Sequence, residues 1–145
     1  MNTIAEIKNA WACFDSAALD RLEPLYAPDV RFIDPAGEIN GREALFSHLR
    51  HQCKDLIECR FEFDSEMETI NGNQACLVWN MILRHRKIGG GREHVTRGTS
   101  LMRFDETVVF HRDWFDLGEM VYEHLPILGS LTRMVKSKLG YHPGQ

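Results

Sequence analysis

The chain has 145 residues, of which 43% are hydrophobic and 26% are charged, and these values fit one globular domain with its own core. Its formal net charge of -4 excludes the concentrated basic surface that nucleic acid binding needs. No window approaches the apolar length of a membrane span, and the N-terminal residues alternate charged and apolar types, unlike a secretory signal. The four cysteines lack Cys-x-x-Cys spacing. We therefore expect a cytoplasmic location, reduced thiols, no nucleic acid partner and no membrane insertion.

Two amphipathic helices are predicted at the start of the chain. Within residues 3–17, apolar side chains recur at steps of three and four residues, and these are Ile4, Ile7, Trp11 and Phe14. A second, shorter helix is predicted to carry the apolar face Leu19, Leu22, Leu25 and Tyr26. We expect Pro28 to end this second helix, because the residue before a proline is pushed away from helical geometry.

A short strand and a third helix follow. The stretch "VRFID", residues 30–34, predicts a strand that ends at Pro35 and Gly37. The stretch "GREALFSHLRHQC", residues 41–53, predicts a helix that opens after a turn.

After Lys54 the hydrophobic period changes from 3.6 to 2, which is typical of half-buried antiparallel strands. The strands are predicted over residues 57–70, 74–87, 94–104 and 107–116. The turns "NGN" and "IGGG" separate the first three of these strands, and the glycine run lacks the lysine of a phosphate-binding loop. We expect a meander whose apolar face is covered by the N-terminal helices.

The C-terminal residues are predicted to be helical again, with an interruption at Pro126. The apolar stripe of this segment is Leu128, Leu131, Met134, Val135 and Leu139. Arg133, Lys136 and Lys138 lie opposite the stripe, which favours a helix that docks on the domain or on a second subunit over a membrane-surface helix. We therefore divide the chain into a domain at 1–125 and a helical extension at 126–145.

The element order and two local motifs resemble the nuclear transport factor 2-like superfamily. The stretch "LEPLYAPDVRFIDPAGEINGREAL" resembles the part of ketosteroid isomerases that carries the catalytic base before a proline, and the matching residue is Asp34. The stretch "HRDWFDLG" is similar to part of the limonene-1,2-epoxide hydrolases and matches one of their acids to Asp113. The resemblance implies an α+β, cone-shaped, cystatin-like fold with the N-terminal helices packed on a strongly curved antiparallel sheet.

The same alignment by motif also shows departures from both enzyme classes. The isomerase positions that hold the enolate oxygen, a tyrosine and an aspartic acid, are matched by Ala10 and Ser100. The hydrolase arginine and second aspartate are matched by Trp79 and Met81, and the hydrolase tyrosine by Phe32. One acid of each catalytic scheme therefore remains.

Strand alternation places His111 and Asp113 on the same face of the last strand. The resemblance implies that Asp113 faces into the cone, so we expect His111 there too. Together with Asp34 they are the candidate catalytic residues. The candidate pocket residues are Trp11, Phe14, Phe32, Trp79, Met81, Ser100, Met102 and Phe115. Such a lining favours an apolar small-molecule ligand, with no metal and no organic cofactor.

These residues allow more than one interpretation. An aspartate before a proline also caps backbone N–H groups in turns, and His111 could be a hydrogen-bonded core histidine. His48 and His51 lack a third ligand nearby and favour a solvated helix face over a metal site.

The first functional hypothesis is a SnoaL-like or ketosteroid-isomerase-like enzyme. In it Asp34 is the base toward a C–H group or water, and Asp113 with His111 is the acid or orienting partner. The alternatives are a non-catalytic small-molecule-binding module and a dimerisation module. In either case a homodimer is expected through the convex face of the sheet.

Overall fold

The computed structural model describes residues 2–124 and 128–140, and within them helices pack against one seven-stranded sheet. The helices are α1 Thr3–Trp11, α2 Ser16–Leu22, α3 Arg42–Cys53, α4 Leu117–Met120 and α5 Leu128–Lys138. The strands are β1 Tyr26–Asp34, β2 Gly37–Asn40, β3 Leu56–Phe63, β4 Thr69–Asn71, β5 Gln74–His85, β6 His94–Phe104 and β7 Val108–Phe115. Short 3-10 turns occupy Glu23–Leu25, Gly89–Gly91 and Tyr122–His124.

Both N-terminal helices begin at a side chain that accepts a hydrogen bond from the first turn. Asn2 Oδ1 accepts from Ala5 N at 3.2 Å, and Asp15 Oδ1 accepts from Ala18 N at 2.8 Å. Three residues of the predicted apolar stripe, Ile4, Ile7 and Trp11, are buried, but the helix ends at Trp11 rather than near residue 17, and Phe14 is partly buried beyond it.

The prediction for the second helix was wrong at its end. That helix stops at Leu22, and Tyr26 opens β1 instead of completing a helical face. Pro28 lies inside the strand, where the pairing between β1 and β7 shifts register. A proline has no N–H to donate to a neighbouring strand, so the ladder is interrupted there rather than ended. The hairpin partner β2 was not predicted at all.

The four strands predicted after Lys54 are present, with one correction. The segment predicted as a single strand over 57–70 is two strands, β3 and β4. Asp64 Oδ1 accepts from the backbone N–H of Glu66 at 3.1 Å, and this local turn ends β3. The strand β6 matches its predicted residues, 94–104.

The strand order of the sheet is β2-β1-β7-β6-β5-β3, with β4 paired to β5. Every pairing is antiparallel except that of β1 with β7, which is parallel and aligns Phe32 with His111. The helices α1, α2 and α3 contribute to one buried core with the inner face of this sheet. The predicted α+β cone with N-terminal helices on a curved sheet is confirmed.

The C-terminal helix α5 docks through its polar side. Gly129 is buried, Thr132 closely approaches Gly118, and Lys136 pairs with Asp116. The predicted apolar stripe therefore faces outward, with its side chains between 43% and 70% exposed. The break predicted at Pro126 lies outside the described residues. None of the helices in the described residues has the length and apolar content to cross a bilayer.

Candidate functional site

A cavity of about 310 Å³ lies between the inner face of the sheet and the helices. Aromatic side chains dominate its lining, and they include Trp11, Phe14, Tyr26, Phe32, Phe46, Phe61, Trp79 and Phe115. Its polar lining residues are Asp34, His48, Gln52, His85, His111 and Asp113. An apolar chamber with a few polar groups is the usual form of a small-molecule site.

Strand alternation explains why these side chains meet. On β5, the alternating residues Trp79, Met81, Leu83 and His85 all line the cavity. On β7, His111, Asp113 and Phe115 do the same. The face that the sequence predicted for His111 and Asp113 is thus the concave one.

A chain of buried hydrogen bonds joins four strands at this face. Tyr26 Oη lies 3.0 Å from His111 Nδ1, and His111 Nε2 lies 2.7 Å from Asp113 Oδ1. Ser100 Oγ donates to the same Oδ1 at 2.5 Å, and Trp79 Nε1 donates to Ser100 Oγ at 2.8 Å. Two lines of hydrogen bonds, one from Tyr26 through His111 and one from Trp79 through Ser100, therefore end on Asp113 Oδ1. We call them donor lines.

The direction of each hydrogen bond follows from the groups involved. An indole N–H can only donate, so Ser100 Oγ accepts it and gives its own proton to Asp113. Burial, and then the nearby Asp113 charge, raise the pKa of Tyr26, so the phenol keeps its proton and can donate it to His111 Nδ1. With Nδ1 as the acceptor of the Tyr26 proton, Nε2 is the nitrogen that donates to Asp113. In the described part of the chain, the bonds to Asp113 fall on Oδ1, which leaves Oδ2 for a ligand.

Aromatic rings hold the His111 imidazole in place. Its ring centroid lies 5.6 Å from that of Trp11 and 5.0 Å from that of Phe32, and the residue is only 3% exposed. With both nitrogens bonded, His111 acts here as the group that orients Asp113.

Asp34 also borders the cavity, but a turn anchors it. Its Oδ1 accepts from the backbone N–H groups of Ala36 at 2.8 Å and Gly37 at 3.0 Å. The capping role considered from the sequence is therefore present. The parallel pairing of β1 with β7 extends to Ile33 and Arg112, and the next residue on each strand, Asp34 and Asp113, lines the cavity. Two carboxylates consequently lie on neighbouring strands of the same wall.

Most of the predicted pocket residues line the cavity. They are Trp11, Phe14, Phe32, Trp79, Met81 and Phe115. Ser100 and Met102 do not reach its surface, although both lie on inner-facing positions of β6 and are fully buried. Ser100 is covered by its partners Trp79 and Asp113, and Met102 packs into the core opposite His111.

Tyr26 is the cavity residue bonded to His111 that the sequence interpretation missed. Tyr26 was assigned to the apolar face of the second helix, which gave its side chain no place in the cone. The available signal was Pro28, because the residue before a proline prefers extended geometry and Tyr26 is only two positions away.

Two cysteine thiols, those of Cys53 and Cys59, also line the cavity. Burial raises the pKa of the Cys59 thiol to about 12, and burial also raises the pKa of Cys53. Within the described ranges, no three His, Cys, Asp or Glu side chains are grouped as metal ligands would be.

A pair of histidines, His94 and His124, lies beside α4, whose Met120 lines the cavity. His94 Nε2 lies 3.1 Å from the carbonyl of Met120, and His124 Nε2 lies 2.8 Å from the carbonyl of Glu119. The two rings are 4.1 Å apart. Burial, and then the proximity of His124, lower the pKa of His94. Among the described residues His94 Nδ1 is buried without a partner.

Comparison with known proteins gives a family and a fold. Residues 7–111 match the family described as SnoaL-like domain. A nuclear transport factor 2-like protein of unknown function from Burkholderia pseudomallei is 22% identical, with 83% of this chain and 92% of that chain covered and a TM-score of 0.70.

Two further solved structures are similar to the chain. A protein with a ketosteroid isomerase-like fold from Catenulispora acidiphila, solved with trimethylamine, is 15% identical over 86% of this chain and 94% of its own, with a TM-score of 0.71. A proposed SnoaL-like polyketide cyclase from Jannaschia is 15% identical over 79% and 83%, with a TM-score of 0.67. No curated protein matches. At these identities the structural similarities establish the fold alone.

Proposed function

Because the chain belongs to the SnoaL-like domain family, we propose that its cavity binds an apolar, ring-containing small molecule and transfers a proton on it without a cofactor. The proposal rests on the arrangement of the Asp113 carboxylate. Its Oδ1 is fixed by two buried donors, its Oδ2 has no donor among the described residues, and the residue lines a chamber formed mainly by aromatic rings. A carboxylate held this way beside a bound ligand has the position that a general base needs.

The lining defines the ligand class. Trp11, Phe61 and Trp79 present ring faces and edges to a volume of about 310 Å³, which suits a flat molecule of two or three fused rings. The polar groups are few, so a ligand with one or two polar handles would leave fewest of them unpaired.

The proposal assigns the base to Asp113 rather than to Asp34. Asp113 is the more enclosed of the two, with its side chain 16% exposed, whereas the Asp34 carboxylate caps a turn at the end of β1. In the proposed step Asp113 Oδ2 takes a proton from a C–H group beside a carbonyl. The C–H electron pair forms a C=C bond, the carbonyl oxygen takes the negative charge, and the proton later returns to the product. Asp34 is the second carboxyl of the pair, and in this proposal it exchanges protons with solvent.

The chain lacks the tyrosine and aspartic acid that hold the enolate oxygen in ketosteroid isomerases, and this narrows the class of substrate. Ala10 has no donor, and the Ser100 hydroxyl is already committed to Asp113. A ligand whose C–H is activated by a ring or a second carbonyl forms its enolate with less help from such donors. We therefore propose activated cyclic ketones as the substrate class.

The same observation favours a second candidate, a binding module without turnover. Both His111 nitrogens are occupied by protein groups, and the enolate oxygen has no dedicated donor at either matched position. Such a site would bind the ligand through its rings alone.

The experiment is exchange of the C1 protons of 2-tetralone, a bicyclic activated ketone, in deuterium oxide. NMR would follow both the loss of the proton signal and the binding of the ketone to the protein. We expect saturable exchange above the buffer rate, abolished when the protein is unfolded in urea, and no acceleration for acetone, which is too small to fill the cavity. Binding of 2-tetralone without exchange would favour the binding module. The absence of both would overturn the proposal.

The homodimer expected from the resemblance stays a proposal. Val95 and Trp114 lie on the convex face of the sheet, and they are 43% and 44% exposed. Apolar side chains of this size on a sheet face fit a contact between copies. Sedimentation equilibrium of the wild type and of Trp114→Glu tests this: a dimer weakened by the substitution supports it, and a monomer at all concentrations contradicts it.

A further inference from the structure

We infer that Trp79, seated on Gly98, is a positioning residue that acts through Ser100 to aim the Asp113 carboxylate into the cavity. This inference rests on the proposed function, since it concerns the group proposed as its base. Trp79 was expected only as part of the pocket lining, and its indole N–H gives it a second role.

Gly98 provides the space in which the indole lies. The two residues are directly paired across β5 and β6. A Cβ added at Gly98 would lie 2.2 Å from Trp79 Cη2 and 2.6 Å from both Cζ2 and Cζ3. Real carbon atoms do not approach that closely. Any larger residue at 98 would therefore displace the ring.

Neighbouring rings fix the plane of the indole. The Phe61 ring meets it edge-on at 5.1 Å, and the Phe115 ring lies 6.4 Å away. Trp79 is only 3% exposed, so it cannot turn without disturbing this packing. Its N–H consequently has one direction, toward Ser100 Oγ at 2.8 Å.

The indole N–H determines where the serine proton points. A hydroxyl that must accept from one side donates on another, and the acceptor within reach is Asp113 Oδ1 at 2.5 Å. His111 donates to the same oxygen. The two donors together hold Oδ1, and Oδ2 is the oxygen of this cavity-lining carboxylate that they leave without a donor in the described residues.

A packing role alone makes a different prediction. If Trp79 only filled space, Trp79→Phe would weaken ligand binding and stability together and leave the pH dependence of exchange unchanged. If it positions Asp113, loss of the N–H alone lowers the rate while the ring wall remains. Removing a donor to a carboxylate also favours its protonated form, so the acid limb of the pH profile moves to higher pH.

The test uses Trp79→Phe and Ser100→Ala in the full chain, with Tyr122→Phe and Ser47→Ala as controls at exposed positions. We expect both test variants to slow 2-tetralone exchange about tenfold and to move the acid limb upward by about 0.5 to 1 pH unit, as loss of one charge-assisted hydrogen bond implies. The dissociation constant for 2-tetralone should change by less than about twofold. The double variant should lose no more than either single one, because both act through one donor line.

Gly98→Ala is the third variant, and it should reproduce the effect of Trp79→Phe by displacing the ring. If it does not fold, the other two variants decide. Unchanged exchange rate and pH profile in Trp79→Phe and Ser100→Ala would overturn the inference.

Failure of the proposed function gives a separate result. If the wild type exchanges nothing, the Asp113 carboxyl carbon signal at one fixed pH becomes the measurement. A signal that moves in both variants and in neither control supports the positioning role. A signal that stays in place overturns it.

Discussion

Two polar clusters are held in different ways: the fixed end, at Asp113 in the cavity, and the histidine end, the His94–His124 pair beside the cavity residue Met120. At the Asp113 end Tyr26, His111, Ser100 and Trp79 each have a partner, and two donor lines, one through Ser100 and one through His111, end on one oxygen. At the other end, the centroids of two imidazole rings lie 4.1 Å apart and His94 Nδ1 is buried without a side-chain partner in the described residues. The first end is fixed by complementary hydrogen bonds, whereas at the second burial and the neighbouring His124 lower the pKa of His94.

The difference shows how burial acts on charge. Asp113 can keep a negative charge in an apolar chamber because two donors face it. A proton added to His94 would meet His124, with His85 also near, and no described carboxylate is bonded to it. We therefore expect the Asp113 end to respond to substitution and the histidine end to respond to pH.

The largest effect is expected at the fixed end, from Asp113→Asn. An amide cannot take up the ligand proton, so 2-tetralone exchange should fall by about 10²- to 10³-fold, the usual contribution of a general base. Asp105→Asn, at an exposed position, is the matched control. Full exchange in the Asp113 variant would remove this residue from the chemistry.

The next effect concerns the donor line through Tyr26. The substitution Tyr26→Phe removes the hydroxyl that His111 Nδ1 accepts from, and it leaves a buried acceptor unpaired. We expect the free energy of unfolding to drop by about 1–3 kcal/mol. Urea unfolding measures this, and Tyr122→Phe, at an exposed position, should leave the midpoint unchanged. Equal stability in both variants would mean that the Tyr26 bond is not part of the fixed end.

A smaller effect is expected from Asp34→Asn. The amide oxygen can still accept from Ala36 and Gly37, so the turn should survive. As the second carboxyl of the proposed pair, Asp34 should contribute about threefold to tenfold to exchange, below the range of a primary base. A loss larger than that of Asp113→Asn would return the role of base to Asp34, as the ketosteroid isomerase resemblance implies.

The smallest effect is a pH response at the histidine end. Because the docked state lowers the pKa of His94, the undocked segment binds a proton first. The docking of α4 is therefore at full strength above about pH 6.5 and weakens as pH falls below that value. Hydrogen exchange of the Met120 and Val121 amides should accelerate on acidification beyond the intrinsic rate change. The His94→Gln variant should lose this response. A wild type whose amide exchange follows only the intrinsic rate change would contradict the expected pH response of the histidine end.

Much of the fold could be predicted because hydrophobic period is a local property. The change from 3.6 to 2 after Lys54 identified the meander, and β6 matched its predicted residues. The strand geometry of Tyr26 was missed because it depends on pairing with the distant strand β7. The local hairpin partner β2 was missed because it is only four residues long and mostly exposed, so it carries no apolar alternation. The apolar stripe of α5 was predicted, but amphipathicity does not say whether the stripe docks on the domain or on a second subunit, and within this chain it is exposed.

Part of the candidate site could be predicted from local sequence pattern, and part of it could not. Strand alternation alone placed His111 and Asp113 on one face, and both residues line the cavity. The line from Trp79 through Ser100 could not be predicted, since it depends on side-chain torsions and on the missing Cβ of Gly98. Asp34 remains a prediction as a catalytic group, although its capping bonds and its place at the cavity are both described.

The parallel pairing of β1 with β7 affects how the protein folds during its synthesis. Tyr26 and His111 touch although 85 positions separate them along the chain. Contacts of such long sequence separation form late and slow the search for the native topology. During synthesis, the strand that bears His111 and Asp113 leaves the ribosome after every other strand of the sheet. A nascent chain therefore exposes an open, aromatic half-cone until β7 closes it, and that interval is when the protein most needs protection from aggregation.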